Sequence, residues 1–430
     1  MMATNKNLLD RRVEAISGGV GFLTDFFAER AEGSEIWDVE GRRFIDFAAG
    51  IGVCNTGHRH PKVMAAIEKQ IAAFTHTCHQ VTPYENYVEL AEKLNAAAPG
   101  SSKKKTAFVT TGAEAVENAI KIARAHTGRT GVIACGGAFH GRTFMGMSLT
   151  GKVMPYKAEF GSMMNEVYHF PFPNEVHHVS VDDSIAGLEK LFKFDIAPNR
   201  IAAIIFEPTQ GEGGFYVAPK EFVERIRAIC DEHGIVMIAD EVQSGFGRTG
   251  KMFAMEHYGV EADLMTSAKG LGGGLPISAV IGKAEIMDAP NPGGLGGTYA
   301  GNPVAVAAAN AVCDIMAEDG FHERTTALGA KLKEMLNGLR AEVPQIADVR
   351  GQGLMVAVEF MENGAPRADM VPAVIKYAKE HGLILISCGI YANCIRFLPP
   401  LTTTDAVFEE ALGIIADALK NASACAQAAE

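Results

Sequence analysis

The sequence has 430 residues, 48% of them hydrophobic, and a formal net charge of −12. That supplies a sizeable core for two or three domains. The acidic balance, with only the short KKK tract at 103–105 against it, argues against nucleic acid or an anionic membrane surface as a partner. The most apolar long run, VAVAAANAVCDIM at 304–316, carries Asn310 and Asp314 and is too short to span a bilayer. Eight cysteines with no C-x-x-C read as reduced thiols. MMATNKNLLDRR at the start lacks the apolar stretch of a signal peptide, so the expected location is cytoplasmic.

In chain order, EIWDVEGRRFIDF (35–47) places two short apolar runs around DVEG, a β-hairpin pattern. GHRHP (57–61) leads into a helix over 62–74. KTAFVTT reads as a strand and GAEAVENAIKIARAH as the helix after it, with Ala115, Ala119, Ile122 and Ala123 on the apolar face. RIAAIIFEP (200–208) is a near-continuous apolar strand. PKEFVERIRAICDEHG (219–234) is an amphipathic helix that Gly234 closes. IVMIADE (235–241), LMTSAK (264–269) and SAVIG (278–282) are further buried strands. Strands apolar on both faces, alternating with helices, imply a mostly parallel sheet covered on both sides. Beyond residue 320, helices over 322–342 and 367–381 bracket VRGQGLMVAVEF. LILIS, CIRFLP and a last helix from about 404 follow. The expected division is an N-terminal part of a small α+β domain (1–57), a large domain (58–320) and the C-terminal rest of the small domain (321–430).

Open parallel sheets hold ligands beyond the carboxyl ends of their strands, and three features fall there. At TTGAE the amides of Gly112 and Ala113 open a helix, a seat for phosphate. The same residues fit an ordinary capping box from Thr111 to Glu114. Asp240 ends IVMIAD, where a buried carboxylate needs a partner. That partner is either a protonated ring nitrogen or a salt bridge. Lys269 stands between LMTSA and a glycine-rich turn. An amine among apolar neighbours, opposite a cation, loses its proton more easily and can condense with an aldehyde. It also fits a strand-end lysine reaching for water. Phosphate seat, carboxylate and lysine together are what pyridoxal 5′-phosphate needs. GFGRTG (245–250) satisfies G-x-G-x-x-G, but no full helix follows it as a dinucleotide fold requires. His58, His60, His76 and His79 lack the companions of a metal site, so no metal is expected.

With those residues in place, the chain resembles a fold-type-I aminotransferase of the ω-amino-acid (class III) group, the group of the bacterial 4-aminobutyrate aminotransferases. The resemblance runs from NTGHRHP through TTGAEAVENAIKIARAHTGR, EPTQGEGGF, CDEHGIVMIADEVQSGFGRTG and GGLGGTYAGNP to SCG and IRFLPPLT. It implies a large domain with a mostly parallel seven-stranded sheet and a small α+β domain from both chain ends. It also implies that Lys269 holds pyridoxal 5′-phosphate as a Schiff base and shuttles the proton. Asp240 would pair with the pyridine nitrogen, and Gln243 would bond the ring hydroxyl. Val242 would pack under the ring, with Phe139 stacked above and His140 beside it. Gly112 and Ala113 would take the phosphate, with Thr298 reaching it from a second subunit, so a homodimer is implied, or a tetramer in which two such dimers pair. Ile51, Arg142, Glu212 and Arg396 would contact substrate. Arg142 would hold the distal carboxylate and Arg396 the α-carboxylate of glutamate. Glu212 would pair with Arg396 when 4-aminobutyrate is bound, and glycines 211, 213 and 214 would let it swing aside. The implied reaction is 4-aminobutyrate with 2-oxoglutarate, giving succinate semialdehyde and glutamate. 5-Aminovalerate or another ω-amino acid or diamine is the alternative. Two departures stand out. Phenylalanine occupies 139, where many relatives carry tyrosine, and LGGGLP follows where IAGGFP or LAGGMP is expected.

Overall fold

The computed structural model describes residues 4–428, with side chains to residue 425. The first three and last two residues, at the extremes of the expected end segments, lie outside the described residues. In chain order the strands are β1 Ala28–Glu32, β2 Glu35–Asp38, β3 Arg43–Asp46, β4 Lys104–Val109, β5 Gly131–Cys135, β6 Val167–Phe170, β7 Ile201–Phe206 and β8 Val236–Asp240. They continue as β9 Leu264–Ser267, β10 Ser278–Lys283, β11 Ile346–Gln352, β12 Met355–Glu362, β13 Ala365–Pro366, β14 Leu383–Ile384, β15 Ile386–Cys388 and β16 Cys394–Phe397.

Seven of them form the central sheet in the order β4-β10-β9-β8-β7-β5-β6. β10 pairs antiparallel with both its neighbours, and all the other pairings are parallel. Every residue of β5, β7, β8 and β9 is buried. That burial is why these runs are apolar without alternation. Helices cover both faces: Gly112–Thr127 packs Val116, Ala119, Ile120 and Ala123 on one, and Lys220–His233 packs Phe222, Val223 and Ile226 on the other. Gly234 closes the second helix at φ 60°, a left-handed value that suits glycine.

The two chain ends meet in a second sheet, where β3 from the N-terminal hairpin pairs parallel with β14. Beside it β11, β12, β16 and β15 make an antiparallel sheet. The helices Phe321–Gly338, Met370–Glu380 and Asp405–Ala428 close a core of their own, with Leu332, Val358, Phe397 and Ile415 at its centre.

The GFGRTG stretch is a tight turn and not a phosphate loop. Gly247 and Gly250 take φ 79° and 81°. They turn Arg248 inward, where it is fully buried and donates from Nη1 to the Pro399 carbonyl at 2.7 Å and from Nη2 to Asn55 at 2.5 Å. One guanidinium thus ties the loop after β8 to both chain ends.

Candidate functional site

β4, β5, β7, β8 and β9 run in the same direction, so their carboxyl ends share one edge of the sheet. A cavity of about 500 Å³ opens there. Gly112, Ala113, Phe139, His140, Arg142, Asp240, Val242, Gln243 and Lys269 all line it.

Lys269 does not end its strand. β9 stops at Ser267, and Lys269 opens a short 3₁₀ turn at φ 44°. A non-glycine residue in the left-handed region is strained and persists only where its surroundings hold it. Here Ala268 and Leu271 are packed and Gly272–Gly274 complete the turn. The turn carries the lysine off the sheet edge and into the cavity. Its amine has no hydrogen-bond partner among the described residues. Burial, aided by the Arg396 charge, lowers its pKa to about 8, while Glu212, Glu207 and Asp240 pull the other way.

Asp240 is held from three sides. Oδ1 accepts from the Thr266 hydroxyl at 2.9 Å and the Val242 amide at 3.1 Å. Oδ2 lies 2.7 Å from His140 Nδ1. The carboxylate is thereby aimed into the cavity by the strand beside it and by the loop after β5. His140 Nε2 and Gln243 Oε1 are buried without a partner among the described residues. An orphaned acceptor of this kind is costly unless a ligand completes it.

The helix at Gly112 satisfies both sequence readings at once. Thr111 Oγ1 accepts from Glu114 N, and the Glu114 carboxylate accepts from the Thr110 and Thr111 amides. Those bonds leave the Gly112 and Ala113 amides facing the cavity without an acceptor among the described residues. A Cβ at 112 would stand 2.9 Å from Val242 Cγ1, so glycine is required for the helix to come this close to β8.

Arg142 lies exposed on the cavity wall, with its guanidinium 4.9 Å from the Tyr156 ring and no ion pair among the described residues. Arg396, on β16, is 4% exposed and donates to Glu212 at 2.5 Å. Burial opposes the Glu212 charge, but the Arg396 guanidinium holds the carboxyl below its ordinary range. This pair sits outside the wall of the cavity, close enough for both charges to act on Lys269. The neighbouring glycines are closely packed. A Cβ at 211 would stand 2.8 Å from Gln243 Nε2, and one at 213 would stand 2.5 Å from Gln210 Oε1 and 2.7 Å from the Gly137 carbonyl. The Glu212 carbonyl also accepts from Gly389 N at 3.0 Å. Close packing alone is reason enough for glycine at these positions.

Two further expected residues lie off this chain's cavity. Thr298 is exposed on the loop 291–300. Ile51 sits in a run of four left-handed residues, 49–52, that begins where Asp46 accepts from the Ala48 and Ala49 amides. A β-branched residue at φ 66° is an outlier, and Ile51 is 40% exposed.

One residue was missed. Glu207, immediately after β7, lines the cavity and accepts from Phe139 N at 2.9 Å and Gly211 N at 3.0 Å. Burial pushes its pKa up to about 7, with the Asp240 charge adding to the rise. An acid that ends a fully apolar strand is the signal that singled out Asp240, and EP at 207–208 repeats it. The histidines have local work: His58 pairs with Asp46 at 2.8 Å, and His79 stacks on Tyr87.

The comparisons agree with this geometry. Residues 18–419 match the family model described as aminotransferase class-III. The chain is a class III aminotransferase. It is 56% identical to the 5-aminovalerate aminotransferase DavT of Pseudomonas aeruginosa, over 97% of this chain and 99% of that one. It is 52% identical to the 4-aminobutyrate aminotransferase GabT of Escherichia coli, over 98% and 100%. Among solved structures, an amine transaminase from an uncultivated Pseudomonas species in its PLP-bound form is similar at TM-score 0.85 and 29% identity, covering 96% of this chain and 98% of that one. As a class III aminotransferase the chain is an enzyme dependent on pyridoxal 5′-phosphate. The cavity fits that cofactor. It offers an amine of lowered pKa, a fixed carboxylate, an unpaired amide oxygen and two free helix-start amides. No described helix is long and apolar enough to cross a membrane.

Proposed function

We propose that this enzyme transfers the amino group of 4-aminobutyrate to 2-oxoglutarate, giving succinate semialdehyde and glutamate in two half-reactions. When bound, pyridoxal 5′-phosphate supplies an aldehyde that takes up the amine and a ring that draws electrons from the carbon losing its proton. Lys269 holds the cofactor and then carries that proton on Nζ. A positioned base of this kind contributes roughly 10²–10⁴ in rate. Asp240, oriented by His140 and Thr266, keeps the ring nitrogen protonated. Gln243 Oε1 takes the ring hydroxyl, and Gly112 and Ala113 take the phosphate. Val242 and Phe139, which both line the cavity, would enclose the ring from its two faces. Phenylalanine at 139 keeps the stacking and drops a hydroxyl. Thr298 completes the phosphate site of a second subunit in a homodimer.

The observation that carries the substrate assignment is the Arg396–Glu212 pair. Glutamate and 2-oxoglutarate bring a carboxylate at each end, which Arg396 and Arg142 bind. 4-Aminobutyrate brings only the distal one, for Arg142. Leaving Arg396 buried and unpaired would cost roughly 3–5 kcal/mol, and Glu212 supplies the missing charge. Single-turnover kinetics test this. Glu212→Ala should slow the 4-aminobutyrate half-reaction by about 10²-fold and the glutamate half-reaction much less. Arg396→Ala should do the reverse. Equal losses in both would remove the proposal.

5-Aminovalerate is the second reading, favoured by the slightly higher identity to the DavT protein. It also carries one carboxylate and uses the same cap. One methylene discriminates by only about 1–3 kcal/mol, so activity on both is expected. The ratio of kcat/KM for the two amines ranks them.

A further inference from the structure

Tyr156 lies in the irregular segment between the helix Phe144–Leu149 and β6, and no role in the reaction has fallen to it so far. Its side chain touches three parts of the site. The hydroxyl donates to Glu212 Oε2 at 3.1 Å, while Oε1 of the same carboxylate takes Arg396 at 2.5 Å. The ring faces the Arg142 guanidinium at 4.9 Å. The ring also packs against the Phe139 ring in a tilted arrangement, with centroids 4.8 Å apart and planes at 59°. Tyr156 is buried, and burial keeps its phenol protonated, with the pKa pushed up to about 12. At working pH it is therefore only a donor toward Glu212.

We infer that Tyr156 is a positioning residue that sets the balance between single-carboxylate and double-carboxylate substrates, its hydroxyl latching Glu212 onto Arg396 while its ring supports Arg142. The inference rests on the reading that Glu212 caps Arg396 when the substrate has no α-carboxylate. With Oε1 on Arg396 and Oε2 on the Tyr156 hydroxyl, Glu212 has both oxygens satisfied in the capped position. Rotation away from Arg396 breaks both bonds. The phenol thus adds to the cost of admitting an α-carboxylate and lowers the cost of leaving Arg396 without one. A hydrogen bond to a carboxylate differs from a water-exposed one by enough to shift such a balance about tenfold.

Tyr156→Phe removes the hydroxyl and keeps the ring. In single-turnover measurements on the holoenzyme, the ratio of half-reaction constants should move about tenfold toward glutamate and away from 4-aminobutyrate. Equilibrium binding supplies a readout without turnover. By calorimetry, the Kd of glutarate divided by that of butyrate should fall by a similar factor, because glutarate must displace Glu212 and butyrate need not. Tyr156→Leu removes the ring as well, so Arg142 loses its support and both half-reactions should slow. A structural role alone would lower the thermal midpoint and both half-reactions together and leave the two ratios where they were; that result overturns the inference. If Glu212→Ala is itself symmetric, the cap is wrong and this inference goes with it. If Glu212→Ala is asymmetric and Tyr156→Phe is not, only the role of Tyr156 falls.

Discussion

Lys269 is placed by strain and tuned by its surroundings, and both effects can be measured. An ordinary lysine titrates near 10.4, and in the fold this one titrates at about 8, through burial first and the Arg396 charge second. A base whose folded pKa is lowered binds fewer protons folded than unfolded between those two values. Stability therefore rises with pH across that window. Below about pH 8 the charged amine costs the apoprotein at most about 3 kcal/mol, less whatever share cavity water screens; above about 10.5 the cost is gone. Lys269→Met apoprotein should accordingly unfold at higher denaturant than the wild-type apoprotein at pH 7. The gap should narrow through pH 8–10. A gap that stays constant across the range would show that the amine is not perturbed by its site. The carboxylate was legible as an acid that closes a buried strand, the helix start as a glycine after one, and the lysine as a lone charge between an apolar run and a glycine-rich turn, although it stands two residues past the end of β9. Glu207 carried the same signal and was passed over. Tyr156 carried none, since an irregular segment gives no period from which to place a side chain.

At the scale of the elements, the site depends on how closely the helix Gly112–Thr127 approaches β8. One glycine sets that distance, and a second lets the loop after β5 reach the same helix start. Gly112 faces Val242, and Gly141, at φ 115°, would place a Cβ 2.8 Å from the Ala113 Cβ. Gly112→Ala is thus a test of position. The added methyl must displace Val242 or the helix start, which would move the two free amides off the proposed phosphate position. The expected result is a loss of cofactor affinity of about tenfold or more, with a thermal midpoint of the apoprotein lowered by only a few degrees, since overpacking one methyl costs roughly 1–3 kcal/mol. Unchanged affinity, followed by absorbance on titration, would place the phosphate elsewhere. Such contacts give the loop glycines a role in packing that the sequence did not show. At 211 and 213 a missing side chain looks like freedom, whereas the fold uses the space for Gln243, Gln210 and the Gly137 carbonyl. Composition shows that a residue is small; it does not show what stands against it.

Across the whole molecule, the central sheet and its helices were readable because both-face burial leaves continuous apolar runs in β5, β7, β8 and β9. The reversed direction of β10 was not readable, since SAVIG has the same texture as its parallel neighbours and only pairing with β4 and β9 reveals it. Thr298 poses the larger question. It is exposed, and Tyr299 beside it is 65% exposed, and no residue of the loop 291–300 lines the cavity at the sheet edge of this chain. A shared phosphate site in a homodimer makes a strong prediction, because the two halves of each site would then come from different chains. Take one variant with Lys269→Ala and another with Thr298→Arg, each disabling its own homodimer. Unfolded together in equal amounts and refolded, they give about half heterodimers if subunits pair at random. In each heterodimer one site combines both defects and the other combines the intact Lys269 of one chain with the intact Thr298 of its partner. Activity should therefore recover to about a quarter of wild type, and titrating the proportion of the two variants should give a maximum at equal amounts. If Thr298 served its own chain, every site in the mixture would keep one defect, and the mixture would never exceed the more active of its parents.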